Sequence, residues 1–159
     1  PQSAGRPLVE VISQRAWRLF QRIARAAATI DQTTPPTQLH EVRIDAKKLR
    51  YLVDITPASY DPDDLECITG TLRKLQRVLG DFNDAWVQEE RLLEYARIGN
   101  DSGHQGALLA AGRLAEQSRQ RRECLREKVV KAMVRFRAGD TRAACRRAFK
   151  RFDAKERGR

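Results

Sequence analysis

Leu39-His-Glu-Val-Arg-Ile-Asp-Ala-Lys-Lys-Leu-Arg-Tyr51 decides the fold. Successive residues of an α-helix are turned by about 100°. On that wheel Leu39, Val42, Ala46, Leu49 and Val53 form one apolar face. His40, Arg43, Lys47 and Arg50 form a second file, displaced from the first by roughly a quarter turn. Glu41 and Asp45 point the other way. A helix of this kind buries one flank and carries cations beside it. Cations next to a packed face are held in position, which suits a polyanionic ligand.

Working outward, every long segment has helical period and none alternates as a strand does. A first helix is expected from Pro7 to Thr29, with Val9, Ile12, Ala16, Leu19, Ile23 and Ala27 inward. Pro35-Pro36 breaks the chain, and Thr37 is the expected cap of the second helix, which ends before Thr56-Pro57. A third helix should run from Pro62 to Ile98, with Leu65, Ile68, Leu72, Leu75, Leu79, Phe82, Trp86 and Leu93 as its stripe. Gly70 and Gly80 inside it suggest a kink or close packing. Gly99 to Gly103 is a loop. A fourth helix from His104 to Arg137 should bury Leu108, Ala111, Ala115, Leu125, Val129, Ala132 and Phe136. A break at Ala138-Gly139-Asp140 precedes a basic helix ending near Phe152. The expectation is an all-α chain: an antiparallel four-helix bundle with a short basic C-terminal helix. Residues 1–154 form one domain and 155–159 a basic tail.

The 159 residues suffice for one core, and the formal net charge is +10. Such a chain usually meets a polyanion, whether nucleic acid, anionic lipid or polyphosphate, and composition alone fits a solvated basic surface equally well. The basic residues are 24 arginines and 7 lysines, and arginine forks phosphate oxygens bidentately. Cys67, Cys124 and Cys145 are too far apart for a disulfide framework or a metal motif, which fits a reducing compartment. No run approaches the roughly 18 apolar residues of a membrane span, and no signal peptide opens the chain. A cytoplasmic location is expected. The chain starts at Pro1 and its one methionine is Met133, so it is read as processed or as a piece of something longer.

No catalytic signature is present. His40 has no partner at metal-ligand spacing, and Asp81, Asn83 and Asp84 lack the glycine and spacing of a calcium loop. Phosphate-binding loops, nucleophile elbows and alternating glutamates are also missing. Neither a metal nor a cofactor is expected. His40 reads best as a phosphate donor within its cation file, and His104 as a helix-start residue. Arg73, Lys74 and Arg77 add a second basic cluster, followed by the acids that could orient it. Arg15, Arg18, Arg22 and Arg25 also repeat at three and four, but farther from their apolar stripe, as on a solvated face.

Two segments resemble the CHAD family, helical domains named for a histidine in such a helix. Leu39 to Tyr51 resembles its histidine helix. Leu72-Arg-Lys-Leu-Gln-Arg-Val-Leu-Gly-Asp-Phe-Asn-Asp84 resembles its L-x-x-L-Q-x-x-L-G-x-x-N-D helix. The resemblance spans about residues 37–98. It implies a bundle that binds inorganic polyphosphate without catalysis, in some members beside triphosphate-cleaving domains or on polyphosphate granules. Carried onto this chain, the matching residues are His40, Arg43, Lys47, Arg50 and Tyr51, then Lys74, Gln76, Gly80, Asn83 and Asp84. With the neighbouring cations, the expected ligand contacts are His40, Arg43, Lys47, Lys48, Arg50, Arg73, Lys74 and Arg77. Tyr51, Gln76, Asn83 and Asp84 are supporting or structural residues. The family normally has two such halves, and one histidine helix is present here. A homodimer or a preceding segment is therefore expected to complete the groove. The alternatives are a nucleic-acid-binding helical protein and an accessory subunit of an enzyme of triphosphate or polyphosphate metabolism. Base recognition would want exposed aromatics, whereas Trp17, Phe82 and Trp86 fall at core positions.

Overall fold

The computed structural model describes residues 7–99 and 105–150. They form five α-helices: α1 (Leu8–Thr29), α2 (Pro36–Ile55), α3 (Pro62–Gly99), α4 (Gln105–Phe136) and α5 (Gly139–Lys150). A single 3-10 turn, Pro57–Ser59, joins α2 to α3. There is no strand among the described residues, so the chain is all-α. His104, the 99–103 loop, Phe152 and the tail at 155–159 lie wholly or mostly outside them.

The helix boundaries differ from expectation where proline and glycine were read as breakers. Pro35 caps α2 and Pro36 occupies its first turn. The missing N–H of proline costs nothing there, and its fixed φ suits the helix. Thr37 is therefore inside α2 rather than its cap. The expected break does interrupt the helices, but at Arg137 and Ala138; Gly139 and Asp140 already open α5, with Asp140 favourable in its first turn. Asp61 caps α3: its carboxylate accepts the N–H of Asp63 at 3.0 Å and of Asp64 at 3.3 Å.

The core joins all five helices. Phe20, Ile23, Leu39, Leu49, Val53, Ile68, Leu72, Leu75, Leu79, Phe82, Met133, Phe136 and Phe149 are its large members. Phe20 and Met133 were not in the expected stripes. Val9, Leu19, Leu65, Trp86, Leu108 and Ala132 are only half-buried, and Leu93 is exposed. On α3 the core ends at Ala85 and on α4 it starts at Leu125. Beyond those points the buried residues are small, namely Ala111, Ala115 and Ser118. A bridge of 2.8 Å from Arg122 to Glu89 ties that part of α4 to α3.

Gly70 and Gly80 serve no close approach, since a Cβ on either would meet nothing within 4 Å. Polar ties fix the remaining elements. The Ser13 and Tyr60 hydroxyls meet at 3.1 Å inside the core. Arg147 forks the buried Asp64 carboxylate and fastens α5 to the start of α3. Arg126, only 6% exposed, donates to Thr34 O at 2.6 Å and lies 5.3 Å over the Phe82 ring. It thereby anchors the loop that leads into α2. Cys145 is buried, and burial pushes its thiol well above the ordinary range, so it acts as an inert packing residue.

Candidate phosphate-binding surface

The cation file lies along the seam where α2 packs on α3. The apolar face of α2 is fully inward, with Ala46, Leu49 and Val53 at 0% exposure. That burial leaves His40, Arg43 and Arg50 half-buried at the seam and Lys47 exposed above it. The file holds one histidine and three cations over eleven residues, about 15 Å from first to last at the standard rise.

Neutral amides from α3 hold both ends. His40 Nδ1 lies 2.5 Å from Asn83 Oδ1. With that oxygen as acceptor, Nδ1–H donates and Nε2 is left for another partner. The His40 ring also meets Trp86 edge to face, with centroids 6.4 Å apart. At the other end Arg50 Nη1 donates to Gln76 Oε1 at 3.2 Å, and Gln76 Nε2 donates to Ala46 O at 2.8 Å. Gln76 thus crosses the seam and ties the middle of α2 to α3. The ties pair the start of α2 with Asn83 and its later turns with Gln76.

This arrangement leaves positive charge unspent. Arg50 touches a carboxylate, Asp54, at 3.4 Å, with both side chains substantially exposed. Arg43 and Lys47 form no ion pair among the described residues, and Arg43 Nε is buried without an acceptor. Several cations elsewhere are engaged by acids. Arg22 forks Asp45, while Arg119 and Arg147 do the same to Glu116 and Asp64. The Arg119 and Gln120 side chains hold the Glu116 carboxyl down at about 2. Asp45 is turned to α1 by Arg22, which keeps it off the file.

The remaining expected site residues divide. Asn83 is buried and Gln76 half-buried, both in contact with the file. Arg73 and Arg77 are exposed on α3, within roughly 100° of Gln76 around the helix. Asp84 is exposed near them. Lys74 is two residues from Gln76 and falls on the opposite flank of α3. Lys48 follows Lys47 by a 100° turn and lines a furrow against α1, together with Tyr51. The structure therefore brings His40, Arg43, Lys47, Arg50, Gln76 and Asn83 together, sets Lys48 and Lys74 apart, and leaves Tyr51 one turn beyond Lys47 at the edge of the furrow.

Two features went unseen in the sequence. Trp86 is half-buried beside His40 and not within the core, because α2 begins opposite it. Arg22 is an interhelical partner and not part of a purely solvated face. The second was findable, since Arg22 and Asp45 are the facing charges of neighbouring amphipathic helices. Among the described residues no three His, Cys, Asp or Glu side chains gather as metal ligands, and no helix is long and apolar enough to cross a membrane.

Comparison with protein-family models matches the CHAD domain over residues 1–93, which takes in α1, α2 and most of α3. No curated protein matches the chain. The match spans the histidine helix and the Gln76–Asp84 segment that packs on it, and it covers more than half of the sequence: the chain belongs to the CHAD domain family.

Proposed function

We propose that this chain binds inorganic polyphosphate, without catalysing its turnover, through the α2–α3 seam. One observation carries the reading. His40 and Arg50 are positioned by the neutral oxygens of Asn83 and Gln76, and Arg43 and Lys47 between them meet no carboxylate among the described residues. Polyphosphate is a repeating anion without bases. A file of fixed cations suffices to recognise it, and Arg73 and Arg77 widen the surface on α3. The finer architecture in this reading is an antiparallel bundle of α1 to α4, with α5 as a short basic cap. A cytoplasmic setting, with polyphosphate granules as the destination, fits the ligand.

The second reading is nucleic-acid binding, and one contact favours it. Trp86 sits half-buried at the His40 end, where an aromatic could stack a base. The accessory-subunit reading concerns a partner enzyme and uses the same surface. A competition experiment separates the first two. Labelled long-chain polyphosphate is bound to the protein, then displaced with unlabelled polyphosphate or with single-stranded DNA of equal total charge. Polyphosphate should displace at clearly lower charge concentration, and binding should weaken steeply with salt as counterions are released. Displacement by DNA at equal or lower charge concentration would overturn the proposal in favour of nucleic acid.

A further inference from the structure

The opposite flank of α2 carries a second basic surface of different chemistry. A furrow of about 430 Å³ runs between α1 and α2. Its floor is Leu19, Leu52 and the ring of Tyr51, and its rim is Arg15, Arg18 and Lys48. Arg22 closes one end by forking Asp45. Arg15, Arg18 and Lys48 are exposed and make no ion pair among the described residues. Towards the other end the apolar surface continues outward. Leu8 is 67% exposed, Tyr51 64% and Ile55 59%.

We propose that this furrow docks an acidic amphipathic helix of a partner protein. The floor and the rim each exclude other occupants. A polyphosphate chain has nothing to place against Leu19, Leu52 and Tyr51. A second copy of this chain carries a net charge of +10 and would meet a basic rim with a basic surface. A membrane is flat, whereas the floor here lies between two helix ridges. A third helix fits such a furrow by laying its own ridge between the two. Its apolar residues would recur at three and four, with Asp or Glu on both borders to meet Arg15, Arg18 and Lys48. From Arg15 to Arg22 α1 advances about 10 Å, and from Leu8 to Arg22 about 20 Å, so the matching helix has roughly 14 residues.

The test uses the described chain and four probes. The first is a synthetic 18-residue peptide of Leu, Glu and Ala, with leucines on one helical face and glutamates along its borders. The second is the same composition scrambled to remove that face. The others are phosphatidylglycerol vesicles and labelled polyphosphate. The patterned peptide should bind and become helical on binding, and the scrambled one should bind at least about tenfold more weakly. Arg15→Gln combined with Arg18→Gln should weaken peptide binding by about tenfold or more, with circular dichroism reporting an intact fold. The same variant should keep its polyphosphate affinity within about threefold, because the His40 file is on the other flank. Arg43→Ala with Lys47→Ala should do the reverse. Failure of the polyphosphate assay alone would leave the furrow proposal standing. Equal binding of the scrambled peptide would overturn it, as would vesicle binding that depends on Arg15 and Arg18 without peptide binding.

Discussion

Replacing Gln76 with Leu separates the placement of the cation file from its charge. Gln76 makes two bonds across the seam, to Ala46 O at 2.8 Å and from Arg50 at 3.2 Å. The first is a half-buried neutral bond worth about 1 kcal/mol net. The second is long and its arginine is 42% exposed, so solvent screening reduces it to about 0.5 kcal/mol. Leucine returns part of this by apolar contact, leaving a net loss of about 1 kcal/mol. With a urea slope of roughly 2 kcal/mol/M the midpoint should fall by about 0.5 M, with the slope unchanged. Arg50 would then be free to turn towards Asp54, its other partner at 3.4 Å. Re-ordering it on a ligand costs about 0.5–1.5 kcal/mol, a two- to tenfold loss of polyphosphate affinity. Urea titration and a binding isotherm at fixed salt measure both quantities. A fallen midpoint with unchanged affinity would refute the claim that a held Arg50 matters. An unmoved midpoint would mean that Gln76 does not tie the seam.

Three further outcomes are expected. Gly70→Ala and Gly80→Ala should each stabilise the chain by about 0.5–1 kcal/mol, since both glycines are helical and a Cβ there meets only open space; a lowered melting temperature for either would place a close contact at that position. His40→Phe should keep the fold but weaken polyphosphate binding, because it removes the ring nitrogens that sit at the Asn83 end of the file; an unchanged affinity would take His40 out of the ligand surface. Long-chain polyphosphate should shift the free protein towards a dimer, because an anion offsets the repulsion between two cation files; an unchanged monomer mass by light scattering at saturation would rule that out.

The fold was legible wherever burial alone decided. The α2 stripe Leu39, Val42, Ala46, Leu49 and Val53 is buried without exception, because helical period and a packed flank pointed the same way. The boundary at Pro36 was missed because proline also begins helices well. The one at Gly139 was missed because glycine, a poor helix former, gives no sign of a helix start. Leu93 kept a helical stripe but emerged exposed, since periodicity cannot say where the neighbouring helix stops. The same holds for Trp86, opposite the first turns of α2. At the site, the cation file and its Gln76 and Asn83 supports could be named from two motifs. The separation of Lys48 and Lys74 from them needed the angle between helices. Arg126 was invisible, as an arginine in a basic helix gives no sign that a loop carbonyl and an aromatic face await it.

Arg43→Ala combined with Lys47→Ala tests the central claim most directly. Neither residue belongs to the apolar core, and neither forms an ion pair among the described residues. The thermal midpoint should therefore stay within a few degrees of the parent, as expected for changes away from the core. Polyphosphate affinity at moderate salt should drop by about tenfold or more, allowing for the partial exposure of both side chains. The dependence of affinity on salt should also become shallower, with fewer counterions released on binding. A variant that folds, binds polyphosphate as tightly as the parent and keeps its salt slope would contradict the assignment of the α2–α3 seam as the ligand surface.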